Sequence, residues 1–499
     1  MTAGRDGMPP EKDYYTLLGV PRNATPEQLR RGYREAAQRL HPDKNVAPGE
    51  TELFLEVGRA YETLIDAQAR ATYDEELEKL DVELAKDTPF HVNILHSRNA
   101  LLRIGEPQVH YVLLEIRPAR DLPDIRPAVN LSIVIDRSTS MRGARMDQVR
   151  SAVLAILKDL KPTDSASIVA FDDHAEVIVS PDQAHDMSKA RARLSLLQAG
   201  GGTEIAQGLT LGLDELHRSF ARDGVNHLVL LTDGRTYGDE ELCFELADQA
   251  SASGISINGV GIGSEWSDRL LDDLAARTGG NVIFLNTPKA VTDLLNTIYD
   301  GLSQIIATQM RIDGAFSQQV DLRTAFRLLP EPMPLGDTLP MNLGHLPKHG
   351  VIRLLLELVI HPLAGIEELT LANLNLSGTL LGKAAELKNC PLPIQIQLTD
   401  ELDGKPPPEQ IGSALNLLSL YKLQEKARHE AELGQVAQAA RRLENLATQL
   451  LAAGEKELAK AALNEAVQLT HARRLSTEGE KTLKYGTRAL LLLPAINHD

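Results

Sequence analysis

Apolar residues recur at helical spacing between short polar turns from about residue 13 to 80, and nothing there alternates as a strand would. The pattern then changes to short runs rich in Val, Ile and Leu at 90–96, 101–104 and 109–116, separated by turn residues, which predicts strands. Pro118, Pro123 and Pro127 punctuate a connector. Between 129 and 303 apolar strands alternate with amphipathic helices. Strands are predicted over 129–135, 167–171, 177–180, 226–231, 256–261 and 281–285, and helices over 146–160, 188–197, 204–220, 239–253, 268–276 and 289–304. Continuous apolar strands separated by helices predict a parallel sheet covered on both faces, a doubly wound α/β domain. Strand patterning returns from 306 to 398, clearest at 369–376 and 394–398. Either these strands form a separate β domain, or they join the strands of 90–116 in one sandwich with the α/β domain inserted, which requires only adjacent termini at the insertion site. Pro406, Pro407 and Pro408 mark a linker. Beyond them a composition of Ala, Leu, Glu, Gln and Arg, with turns at Gly434 and Gly454, predicts an array of helical hairpins of no assignable repeat.

The expected layout is therefore an all-α unit at 11–80, a discontinuous β-sandwich at 89–127 plus 305–400, a doubly wound α/β (Rossmann-like) domain at 128–304 and a helical region at 409–494. The 499-residue length supports several cores, since single cores stop growing near roughly 250 to 300 residues. A formal charge of −17 opposes general attraction to nucleic acid or anionic membranes. Hydrophobic residues at 43% and charged residues at 24% exclude disorder of the whole chain, and aromatics at only 4% imply aliphatic cores. Cys243 and Cys390 are too few for a disulfide framework or a thiolate zinc site. No apolar run suits a signal peptide or reaches the roughly 18 residues of a membrane span; the longest, 351–360, carries Arg353 and Glu357. A cytoplasmic protein is expected.

In the N-terminal unit, Thr25-Pro26-Glu27 is a helix start, with a capping Thr, Pro at the first helical position and acid in the first turn. From there Leu29, Tyr33, Ala36, Ala37 and Leu40 share one stripe, whereas Arg30, Arg31, Arg34 and Gln38 share a neighbouring one. The helix stops at His41-Pro42-Asp43, because Pro disfavours helical geometry in the preceding residue. Phe54, Val57, Tyr61 and Leu64 predict a second helix packed antiparallel on the first, holding the His41 to Asp43 loop at the exposed end of a hairpin. The segment DYYTLLGV at 13–20, the basic helix ending LHPDKN at 40–45, and AYETL at 60–64 followed by Tyr73-Asp74 resemble a J domain of the DnaJ family. The resemblance implies that His41, Pro42 and Asp43, with Arg30, Arg31 and Arg34, dock on a DnaK-type heat-shock chaperone and stimulate its ATP hydrolysis. A cationic stripe suits steering toward an acidic partner. Fuller DnaJ proteins carry a Gly/Phe-rich segment and a cysteine zinc module; this chain has neither, so client selection falls to another part of it.

In the α/β domain the first strand runs into Asp136-Arg137-Ser138-Thr139-Ser140, which places these side chains in the crevice beyond the carboxyl ends of the strands. Carboxylate and hydroxyl oxygens suit Mg²⁺. Gly200-Gly201-Gly202-Thr203 offers a further hydroxyl, and the strand ending in Asp233-Gly234 a second carboxylate at the same edge. This set resembles a von Willebrand factor type A domain with its metal-ion-dependent adhesion site. The resemblance implies that Ser138, Ser140 and Thr203 ligate a divalent ion, with Asp136 and Asp233 acting directly or through water, and that an open position accepts a partner's carboxylate. Arg137 departs from the small residues usual there; its guanidinium either aids acidic-ligand binding or points outward. The other reading is an ion-free domain in which Asp136 caps a helix and the serines satisfy backbone groups.

An aspartyl-nucleophile hydrolase would need a second Asp where Ser138 stands and a Lys near the later acidic motif, and neither is evident. Asp172-Asp173-His174 after Ser167 reads as a polar turn, and Gly259, Gly261 and Gly263 as a strand-to-helix turn lacking the Lys-Ser/Thr of a phosphate loop. Trp266 and Tyr237 either line the metal edge or pack. Arg473, Arg474 and residues 481–488 read as solvated helix faces. The expectation is a non-enzymatic cochaperone that recruits a DnaK-type chaperone to a protein client held through a divalent ion. The alternative is a metal-dependent scaffold that remodels no client.

Overall fold

The computed structural model describes residues 14–18, 20, 24–39, 50–74, 89–119, 122, 125–236, 238–362, 368–382, 385–401 and 404–492. The N-terminal helices are Tyr14–Leu18, Pro26–Arg39 and Glu50–Ile65. The second starts where capping chemistry places it: the Gln28 amide N–H donates to Thr25 Oγ1 (3.3 Å), and the Thr25 amide donates to Gln28 Oε1 (2.5 Å). These reciprocal bonds satisfy donors that the first helical turn leaves free. Leu29 and Ala36 are buried with Tyr15, Leu18, Val57, Ala60 and Leu64, and the Tyr33 and Tyr61 rings stack at 4.4 Å. Arg30, Arg31 and Arg34 are exposed on the neighbouring face. His41, Pro42 and Asp43 lie outside the described residues, as do Leu40 and Tyr237.

Two five-stranded sheets make the sandwich. One orders its strands Phe90–His96, Gln108–Pro118, Ile352–Ile360, Val320–Leu329 and Met333–Gly336; the other orders Met341–Pro347, Ile305–Phe316, Glu368–Leu380, Ala385–Thr399 and Ala100–Leu102. Strands from before the α/β domain therefore enter both sheets. Gln108–Pro118 pairs antiparallel with Ile352–Ile360, and Ala100–Leu102 runs parallel to Ala385–Thr399. Period-two alternation turns Leu369 and Leu371 into the core and, after the register shift between Thr370 and Ala372, Ala372, Leu374 and Leu376. Arg353 and Glu357, unexpected in so apolar a strand, are both paired: Arg353 Nε donates to Glu115 Oε1 (2.6 Å), and Glu357 binds Arg323 (3.1 Å) and Lys422.

The inserted domain is a six-stranded sheet ordered Ala175–Val179, Ser165–Phe171, Ala128–Asp136, Gly224–Thr232, Ile255–Ile262 and Val282–Leu285. Five strands are parallel. The edge strand Ala175–Val179 is antiparallel to its neighbour, which corrects the expectation of a wholly parallel sheet. The turn at 172–174, closed by Asp172 N–H to His174 O (2.9 Å) and His174 N–H to Asp172 Oδ1 (3.0 Å), is far too short for the crossover a parallel pair needs. Chain order reverses between Ala128–Asp136 and Gly224–Thr232, and a doubly wound sheet opens its ligand crevice at such a switch point.

The C-terminal helices Glu409–Glu432, Val436–Ala452, Lys456–Ala472 and Thr477–Ala489 share one core but also staple the other two units. Ile411, Ala414, Leu418 and Tyr421 pack on Leu113, Phe326 and Leu355 of the sandwich. Tyr485 packs on Trp266 and Phe284 of the inserted domain, with ring centroids 5.6 and 6.0 Å apart. The expectation of solvated faces fails for residues 481–488: Lys481, Lys484 and Arg488 are buried. Lys484 Nζ lies 2.8 Å from Asp272, Arg488 makes a forked pair with Asp272 (2.8 and 2.9 Å), and Lys481 Nζ stands 3.7 Å from the Trp266 ring centroid. A cationic helix face looks the same in sequence whether water or another domain's carboxylates cover it. Arg473 and Arg474 are exposed as expected. Trp266 is buried and donates its indole N–H to Gly263 O (2.7 Å), so of the two roles expected for it the structure gives packing.

Candidate functional site

All five residues expected at the strand ends converge on the switch point. Asp136 closes the central strand and is buried; its Oδ1 accepts the Ser138 backbone N–H (2.8 Å) and its Oδ2 the Thr232 hydroxyl (2.6 Å). Ser138 Oγ and Ser140 Oγ are 3.0 Å apart, and the Ser140 hydroxyl donates to Asp233 Oδ1 (2.6 Å). Gly234 leaves the middle open: a Cβ there would stand 3.2 Å from Thr203 Oγ1 and 3.7 Å from Asp136 Oδ2. Burial pushes the Asp136 carboxyl up to about 6, against the hydrogen bonds from Thr232 and Ser138 that favour its anion.

Three loops hold this cluster in register. Gly201, at φ +81, presents its carbonyl to Thr139 N–H (3.3 Å) and Oγ1 (3.1 Å). The Gly200 N–H donates to Arg137 O (2.7 Å), and the Gly202 N–H to the Asp173 carboxylate (3.1 Å). A side chain at Gly202 would meet Asp173 Oδ1 at 2.4 Å, so the close approach requires glycine. Thr203 precedes the helix Ile205–Arg218, whose Ile205 and Ala206 amides donate to Thr236 Oγ1 (3.2 Å) and Asp239 Oδ2 (2.8 Å). Arg137 turns aside from the cluster to Asp172 (2.9 Å) and Glu176.

Sequence reasoning missed Thr232, Arg145, Thr236 and Asp239. Arg145 rises from the first turn of the helix Ala144–Asp159, and its Nη1 donates to Asp233 Oδ2 (2.5 Å) and Ser140 O (3.1 Å). Thr232, one residue before Asp233, was the only one with a local signal.

The donor chemistry fits a hard divalent cation. Octahedral Mg²⁺ with ligands at 2.0–2.1 Å sets neighbouring oxygens about 2.9 Å apart, and the two serine hydroxyls already stand 3.0 Å apart. Ser138, Ser140 and Thr203 would hold the ion, with Asp136 and Asp233 behind them. Among the described residues no group of three His, Cys, Asp or Glu gathers as a metal cluster, so any such site here depends on hydroxyls.

Residues 13–74 match the family model described as DnaJ domain, and 130–297 that of the von Willebrand factor type A domain. The chain joins a DnaJ domain to a von Willebrand factor type A domain. Residues 409–493 match the Sll0103-like, C-terminal alpha-helical domain. An uncharacterized protein of Synechocystis sp., sll0103, is 29% identical over 216 residues, 42% of this chain and 51% of its own length. The chaperone protein DnaJ of Dictyoglomus thermophilum is 50% identical over 68 residues, 14% of this chain. That of Thermosynechococcus vestitus is 54% identical over 63 residues, 13% of this chain. This chain spans only 17% of each DnaJ protein. The type A protein from Catenulispora acidiphila has the same fold over 80% of this chain and 96% of its own, with TM-score 0.61 and 15% identity. The ArnB paralog VWA2 from Sulfolobus acidocaldarius covers 81% of this chain and 100% of its own, with TM-score 0.52 and 15% identity. The type A domain is about a third of the chain, so these likenesses of fold extend well beyond it.

Proposed function

We propose that the protein is a cochaperone in which the J domain recruits and stimulates a DnaK-type chaperone while the type A domain holds a protein client through a divalent ion, Mg²⁺ foremost. The J domain carries this reading: the match over 13–74 includes the whole motif set, and Arg30, Arg31 and Arg34 stand exposed on one helix face. Ser138, Ser140 and Thr203 hold the ion, Asp136 and Asp233 act on it directly or through water, and the open position takes an aspartate or glutamate of the client. The ion supplies electrostatic attraction for that carboxylate. On this reading the chain does no chemistry of its own. It works in the cytoplasm, with no nucleic acid or membrane as partner.

The test is ATP turnover by a DnaK-type chaperone with the full chain added. Wild type should stimulate it and His41→Gln should not; equal stimulation by both defeats the cochaperone assignment. A second reading, a metal-dependent scaffold that remodels no client, draws on the sandwich, inserted domain and C-terminal helices being stapled into one body. Under it, capture of partners requires Mg²⁺ and fails with EDTA or Asp136→Ala, while His41→Gln leaves client fate unchanged. Phosphatase and ATPase assays on the full chain should show no turnover that Asp136→Asn removes.

A further inference from the structure

We propose that Arg145 sets the charge of the metal site: it cancels one of the site's two carboxylates, so that the loaded site keeps a net positive charge and selects a carboxylate for its open position. This rests on the divalent-ion reading above. Asp233 is enclosed, with its side chain 0% exposed, while the Arg145 side chain is 39% exposed and its Nη1 reaches Asp233 Oδ2 at 2.5 Å. The guanidinium is held from two further sides. Nη1 also donates to Ser140 O at 3.1 Å, and Nη2 rests against Gly263, where a Cβ would stand 3.2 Å away. Asp136 is treated differently: its hydrogen bonds come from Ser138 N–H and the Thr232 hydroxyl, and no cation pairs with it among the described residues.

The other arginines of the rim are committed elsewhere. Arg137 pairs with Asp172 and Glu176, Arg142 donates to Ala199 O (3.2 Å), and Arg235 donates to Glu265 O (3.1 Å). Arg145 alone of these four reaches a carboxylate of the site. Two carboxylates, one guanidinium and a divalent ion sum to a single positive charge; without the guanidinium the sum is zero. Arg145 also occupies Asp233 Oδ2 and leaves Oδ1 to the Ser140 hydroxyl, which fixes the oxygen turned toward the hydroxyl cluster. Two affinities must then move in opposite directions when Arg145 is neutralised. The ion gains, because a like charge and a competitor for Asp233 are gone; a carboxylate at the open position loses, because the site no longer carries excess positive charge.

The experiment uses the full chain with Mn²⁺ alone, read by electron paramagnetic resonance, then acetate added at saturating Mn²⁺, read by water-proton relaxation. Arg145→Met should bind Mn²⁺ about tenfold more tightly and acetate about tenfold more weakly than wild type, and Arg145→Lys should stay near wild type in both. In EDTA, Arg145→Met should melt below wild type, and Mn²⁺ should raise its melting temperature by more. Arg145→Gln serves the same comparison if the Met variant does not fold. Equal or weaker Mn²⁺ binding by the neutral variants, with wild type binding and Asp136→Ala not, overturns the role of Arg145. So does a Lys variant that behaves like Met. If wild type and the neutral variants alike bind no Mn²⁺, the divalent-ion reading itself fails and takes the inference with it.

Discussion

Acidification should loosen the seam between the inserted domain and the sandwich through two imidazoles. His227, on the strand Gly224–Thr232, faces His345, on the sandwich strand Met341–Pro347, with ring centroids 5.9 Å apart. All four ring nitrogens are enclosed and have no hydrogen-bond partner. Burial, with His345 alongside, pushes His227 down to about 3; burial, with the Arg327 guanidinium nearby, pushes His345 down to about 4. Arg327 cannot move away, since it is fixed across the same seam to the carbonyls of Gly279 (2.9 Å) and Gly280 (2.6 Å) and, within the sandwich, to that of Leu343 (2.9 Å). A folded-state value below the ordinary one means that stability is fully present above the unfolded imidazole's titration near 6.5 and is lost as pH falls toward the folded values. From pH 7.5 to pH 5 each imidazole should remove roughly 2 kcal/mol, and the pair roughly 4 kcal/mol if they act independently. Urea unfolding of the full chain, followed by fluorescence of Trp266, the one tryptophan, measures the loss. His227→Leu/His345→Leu should be flatter than wild type over this range by about that amount. Identical pH slopes for the two proteins would refute the assignment of the acid sensitivity to this pair.

Replacing Gly261 by Ala drives a Cβ to 1.9 Å from the Trp266 ring; a loss of about 1 to 3 kcal/mol and a shifted indole emission should follow in thermal and fluorescence measurements. Asp272→Asn leaves Lys484 and Arg488 buried without their shared counter-charge. Burial raises the Asp272 carboxyl, but Arg488 and Lys484 outweigh that and hold it well below the usual carboxylate range, so removal should cost about 3 to 5 kcal/mol and expose the linker at 404–408 to limited proteolysis. Asp136→Asn should retain the melting temperature of wild type in EDTA but lose any gain on adding Mg²⁺, as differential scanning calorimetry would report. The Thr25→Ala variant removes the reciprocal cap of the basic helix and should lower J-domain helicity, with a loss of about 1 kcal/mol, seen in circular dichroism.

What was legible in the chain was local. The stripe of Leu29 and Ala36, the capping Thr25, and the Asp136 to Ser140 segment at a strand end each declare themselves within a few residues. The order of strands and helices across 128–304 is enough to place Asp136, Thr203 and Asp233 at one edge of the sheet. What escaped was set by partners far apart in sequence. Arg145 meets Asp233 across 88 residues, and Arg488 meets Asp272 across 216; no periodicity carries that information. The cationic face of 481–488 misled for the same reason, since Lys484 and Arg488 are answered by Asp268 and Asp272 and Lys481 by Trp266. The direction of Ala175–Val179 was readable in principle from the short turn at 172–174, which the alternation of strand and helix around it obscured.

Threading a whole domain into a sandwich sets the order in which the chain can complete itself on the ribosome. Glu115 waits for Arg353, 238 residues downstream, and at roughly 5 to 20 residues per second that delay is about 12 to 48 s. Throughout that interval the strand Gln108–Pro118, apolar and buried in the finished sheet, has only the hairpin with Phe90–His96 on one side and an open edge on the other. The inserted domain, whose own strands are contiguous in the chain, can be complete long before its host closes. The DnaJ domain at 13–74 precedes both, so it can be complete before this edge leaves the ribosome, and the edge then stays open while the whole inserted domain is made.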